Sequence, residues 1–76
     1  MTPLHEQLRA AREAAGLTQE ALGRALGLAP GSAQATIARY EAGAREPPLR
    51  HVRGIATATG RAVVIEPEPE GPDLSA

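Results

Sequence analysis

A chain of 76 residues with no cysteine, one aromatic (Tyr40) and a formal net charge of −1 makes one small domain with a thin core and no disulfide. No run approaches the ~18 apolar residues of a membrane helix and no signal peptide opens the chain, so a cytoplasmic protein is expected. The charge is split: residues 1–65 hold all eight basic side chains, every one arginine, against five acids, for +3, while Glu66, Glu68, Glu70 and Asp73 give residues 66–76 a charge of −4, which excludes a strongly basic binder but fits a mildly basic domain with an acidic tail.

In chain order, Thr2-Pro3 reads as an N-cap followed by proline at the first helical position, where its missing N–H is harmless. Leu4, Leu8, Ala11 and Ala15 then form a helical stripe that predicts a first helix over about residues 3–15. Its outer face carries an Arg9–Glu13 pair at i, i+4, worth a few tenths of a kcal/mol. Thr18 is a second N-cap, and Leu22, Ala25 and Leu26 predict a second helix over Gln19–Leu26, closed by Gly27. Gly23 within it costs ~1 kcal/mol against alanine. A third helix is predicted from Ala33 to Ala42, with Ser32 as N-cap and Ile37 and Tyr40 inward. Its outward residues Gln34, Ala35, Thr36, Ala38 and Arg39 suit phosphates and base edges on a helix narrow enough for the major groove. Gln34 can address adenine with two hydrogen bonds, Ala35 a thymine methyl, and Arg39 guanine or a phosphate.

Pro47-Pro48 starts a fourth helix that ends at Gly60, with Leu49, Val52, Ile55 and Ala56 inward and Arg50 and Arg53 outward. Gly54 suggests a close approach by another element. His5 and His51 stand far apart without companions, so they read as surface histidines rather than a metal or catalytic site. Arg61 to Glu66 changes period: Ala62, Val63, Val64 and Ile65 read as a short strand bounded by Gly60 and Pro67. A lone strand has no pairing partner in a helical chain, and a second copy would supply one. Residues 67–76, rich in proline and acid, read as a disordered tail.

The ordered set Gly16-Leu17-Thr18-Gln19-Glu20, Gly27, Thr36-Ile37 to Glu41, and Gly43 resembles the helix-turn-helix of the lambda-repressor/Cro (XRE) family, over about Leu8 to Gly60. The resemblance implies that Gln19 clamps a phosphate, the alternative being a solvated helix start. It implies that Arg45, in the loop after the third helix, lies along the DNA backbone. It also implies that Arg12 pairs with Glu41. That structural pair is the favoured reading over a phosphate contact by Arg12, because breaking a buried ion pair is severe. Gly23 matches a small-residue position where the third helix crosses closely. Some small antitoxins of this type carry a strand after the fourth helix, as this chain does. One departure stands out: Leu28 to Ala33 separate the turn glycine from Gln34, where the family has about two residues, so the turn is expected to be lengthened by roughly one helical turn of chain.

The expected fold is therefore all-α, a lambda-repressor-like bundle of about four helices with a short C-terminal β-strand. Residues 1–60 form the DNA-binding domain, 61–66 a dimerisation strand and 67–76 the tail. The expected function is sequence-specific binding of double-stranded DNA as a homodimer, with Gln19, Ser32, Gln34, Ala35, Thr36, Arg39 and Arg45 at the interface. Regulation of transcription, as a repressor, follows. Two other readings stay open: an antitoxin that also binds a toxin protein, and a protein-interaction module that has lost its DNA contacts. No cofactor, metal or membrane partner is expected. An enzyme finds no support, for there is no cysteine, no Ser/His/Asp arrangement and no phosphate loop.

Overall fold

The structure, a computed structural model, describes residues 2–63. Four helices follow one another: α1 (Leu4–Ala14), α2 (Gln19–Ala25), α3 (Pro30–Glu41) and α4 (Leu49–Thr59). Among the described residues there is no strand, and the architecture is the all-α helix-turn-helix bundle. Leu8, Leu22, Ile37, Tyr40 and Ile55 form the centre of the core, one or two from each helix, with Leu4, Leu17, Leu26, Leu28 and Val63 packed around them. Leu49, by contrast, is 51% exposed, and Ala15 and Ala25 also face solvent. Each of these three fits the apolar spacing of its helix but is left uncovered by the neighbouring elements. The inward face of α2 is made instead by Leu22, Gly23 and the half-buried Leu26.

The start of α1 is one residue later than the sequence suggests. Pro3 occupies the cap position and Leu4 the first helical one, with no side-chain cap bond. At α2 the cap is chemical: Thr18 Oγ1 accepts from the Ala21 N–H at 3.0 Å. The helix ends where Gly27 adopts φ 83°, which lets the Leu28 N–H turn back to the Gly23 carbonyl at 3.0 Å. That bond, with Leu28 packed on the core, is a Schellman end.

The larger difference lies just beyond. The residues expected to lengthen the turn are the first turn of α3. Ala29 is its cap residue and Pro30 its first helical residue; the N–H groups of Ser32 and Ala33 both reach the Ala29 carbonyl at 2.9 Å. A Pro-Gly pair is a turn signal, but proline also favours the first helical position because its φ is already helical. Ser32 is thus inside the helix and not its cap, and its hydroxyl donates back to the Ala29 carbonyl at 3.3 Å. The turn proper is Leu26–Ala29, and the additional residues lengthen α3 rather than the loop.

Two glycines stand where helices meet, and at Gly23 the contact is with backbone. A Cβ on Gly23 would lie 2.7 Å from both Cβ and the carbonyl oxygen of Ala33, so α2 and α3 cross backbone to side chain. A Cβ on Gly54 would collide with the Leu26 side chain. The close approach at Gly54 is therefore made within this chain, by α2 on α4. Beyond Gly60, Arg61 and Ala62 are exposed and Val63 is half-buried against the core, none of them in a strand. Backbone ladder bonds from a strand whose partner is a second copy form only in that complex. Val64, Ile65 and the tail at 67–76 lie outside the described residues.

Candidate nucleic-acid interface

α3 is held on one flank by charge. Arg12, half-buried in the last turn of α1, grips Glu41 at the end of α3: Nε donates to Oε2 at 2.7 Å and Nη2 to Oε1 at 3.0 Å. The third guanidinium nitrogen, Nη1, donates to the Leu17 carbonyl at 2.9 Å, tying the pair to the α1–α2 connection. The Arg12 guanidinium is pushed above its ordinary range by its hydrogen bond to Glu41. The attraction of Glu41 and Glu13 adds to this, and burial opposes it. A planar fork on a carboxylate is the strong form of this contact.

Glu41 has a second donor. Gln19, the first residue of α2, donates from Nε2 to Glu41 Oε1 at 3.2 Å, and its own Oε1 accepts from Gln34 Nε2 at 2.8 Å. Arg12, Glu41, Gln19 and Gln34 thus form one chain of hydrogen bonds from the interior to the exposed face of α3. Arg9, Arg12, Gln19, Ala38, Glu41 and Ala42 line a shallow groove along it. Among the described residues no buried side-chain nitrogen or oxygen lacks a partner.

The remaining candidates are not drawn together. Ser32 and Arg39 are exposed on α3, in its first and last turns, while Ala35 and Thr36 are half-buried. Arg45 is exposed in the loop between α3 and α4, whose path is fixed by the Ala44 and Arg45 N–H groups donating to the Arg39 carbonyl at 3.0 and 3.3 Å. Ala62 is exposed and Val63 partly covered by the core.

The pairing of Tyr40 with His51 is not legible in the sequence. His51 is not a free surface histidine: its Nδ1 lies 2.7 Å from the Tyr40 hydroxyl, with the rings 5.8 Å apart between centroids. Burial first, then the charges of Arg50 and Arg45, push its pKa below the ordinary 6.5. The only signal for it was that a lone buried tyrosine needs a partner for its hydroxyl, and His51, one residue before Val52 on α4, was within reach. The bond between Gln19 and Gln34 was likewise unread.

The exposed outer face of α3, seated across α2 after a four-residue turn, is the arrangement that places a helix in the major groove. Residues 8–64 match the family model described as helix-turn-helix. The chain belongs to the XRE-type helix-turn-helix family. No curated protein and no solved structure matches it. Proteins of this XRE type are DNA-binding regulators of transcription, and within the helix-turn-helix match lie α2, α3, α4 and most of α1. Among the described residues no helix is long and apolar enough to cross a membrane.

Proposed function

We propose that this protein binds a specific duplex DNA sequence as a homodimer and represses transcription there. The observation that carries the reading is the Gln19–Gln34 bond: it presents one amide, already ordered, on the exposed side of a helix long enough to reach into a major groove. Arg39 is the second base-reading side chain, and Ser32, Ala35 and Thr36 complete the surface. Gln19, through its backbone N–H at the start of α2, and Arg45 take phosphates on either side of α3 and set its register. Because one such helix covers one half-site, two copies about 34 Å apart are required for tight binding. The contact between copies is assigned to Ala62, Val63, Val64 and Ile65, the β-branched run after Gly60, paired antiparallel across a two-fold axis.

Selection of bound sequences from random DNA, followed by titration of the preferred site, tests the reading. Arg39→Ala costs ~1–3 kcal/mol on that site and leaves weak binding to random duplex largely intact. Arg45→Ala weakens every duplex alike and reduces the salt slope. Val64→Asp yields a monomer in sedimentation and loses tight binding to a palindromic site. Equal losses for Arg39→Ala on specific and random DNA would reduce that residue to a phosphate contact, and an unselective protein would overturn the proposal.

A further inference from the structure

We infer that Glu41 is a positioning residue for base choice: through Gln19 it fixes which way round the Gln34 amide stands, and so makes Gln34 select adenine over guanine. The inference rests on the reading that α3 faces base edges. Its physical basis is that hydrogen bonds have a sense. Arg12 can only donate and an ionised carboxylate can only accept, so both ends of the Arg12–Glu41 contact are unambiguous. Whatever meets Glu41 Oε1 from the other side must therefore be a donor. Gln19 can meet it at 3.2 Å only with its NH2 group, which leaves Gln19 Oε1 on the outer side. Gln34, 2.8 Å from that oxygen, must in turn offer its own NH2. The carboxylate thus sets two successive amides, neither of which has a preferred orientation of its own.

What remains free on Gln34 is its carbonyl oxygen and one N–H. Adenine offers a donor at N6 and an acceptor at N7, which is the complement of that pair. Guanine offers two acceptors, O6 and N7, so the Gln34 oxygen would face another oxygen. A glutamine released from the chain can turn its NH2 outward and accommodate guanine. The ordering also lowers the entropy lost on binding, since Gln34 is already held in one geometry. Glu41 is 4% exposed at its side chain, and acts on the DNA only through Gln19 and Gln34.

The experiment uses the full chain and duplexes that differ at one base pair, the position whose preference disappears in Gln34→Ala. The readout is the ratio of affinities for adenine and guanine there, which a loss of stability or of phosphate contacts does not move. Glu41→Gln keeps the shape of the side chain but can both donate and accept, and its adenine-over-guanine ratio falls about tenfold. Gln19→Met, which spares the Arg12–Glu41 pair, lowers the ratio equally. Adding Gln19→Glu to Glu41→Gln moves the acceptor-only group one link outward and restores the ratio, although overall affinity drops. A wild-type ratio in Gln19→Met or in folded Glu41→Gln overturns the inference while leaving base reading by Gln34 intact. If Glu41→Gln does not fold, a wild-type ratio in Gln19→Met, or an unrestored ratio in the paired variant, overturns it. The absence of any position that depends on Gln34 overturns both the inference and the reading beneath it.

Discussion

Tyr40 and Glu41 are consecutive, both are buried, and they anchor α3 in opposite ways. Glu41 reaches towards α1 and α2 and is held by charge, with Arg12 in a fork and Gln19 on the remaining face. Tyr40 lies in the apolar core and reaches towards α4, where its hydroxyl meets one neutral partner, His51 Nδ1. The first anchor brings a desolvated charge that must be answered, so it is costly to break and orders whatever touches it. The second adds a modest bond to an anchor that the aromatic ring already makes by burial. A helix that must present one face in a fixed orientation therefore has its strict contact on the side of the candidate interface and its tolerant one behind.

The strict side is tested by a double-mutant cycle. Arg12→Ala and Glu41→Ala should each lose several kcal/mol in denaturant titration, a large part of what a domain of this size possesses. The double variant should lose less than the two together. Additive, sub-kcal losses would show that the pair behaves as an exposed one and erase the contrast. On the tolerant side, Tyr40→Phe keeps the ring and removes only the hydroxyl, so thermal unfolding should report about 1 kcal/mol. A loss as large as that of Glu41→Ala would mean that the His51 contact is as strict as the ionic one.

The two sides also differ in their response to pH. Because the folded protein holds the His51 pKa below 6.5, chiefly by burial, the unfolded chain binds the proton more readily. This contribution is complete above about pH 6.5 and is lost as pH falls from there through the lowered folded value. His51→Leu should flatten that part of the stability curve; an unchanged slope would show that another group is responsible. The smallest effect is expected from the same chemistry placed in water. Arg9 and Glu13 approach to 3.3 Å but are 64% and 54% exposed at their side chains, and a cycle on them should give about 0.3–0.5 kcal/mol, diminishing with salt. Coupling there equal to that of Arg12 with Glu41 would mean that burial is not what separates the two pairs.

Much of the fold was legible because it is local. Caps, stripes and glycine stops act within a few residues, so Thr18, Gly27 and Gly60 mark helix ends in the sequence as they do in the structure. The match of Gly16 to Gln19, Glu41 and Gly43 to a known motif placed α2 and α3. The start of α3 was misplaced because Pro30-Gly31 satisfies two local rules at once, a turn signal and a first helical position, and the structure takes the second. Apolar spacing alone could not tell that Leu49 is exposed while Val52 is covered, since that depends on which neighbouring elements cover each position. The sequence by itself thus determined the helices, their order and the family. Only the tertiary structure decided that Leu26 lies over Gly54, that Tyr40 meets His51, and that Arg12, Glu41, Gln19 and Gln34 form one chain. Those contacts join residues 11 to 29 positions apart or on different helices, and no periodicity encodes them, because a hydrogen bond depends on where two helices cross and not on the spacing within either.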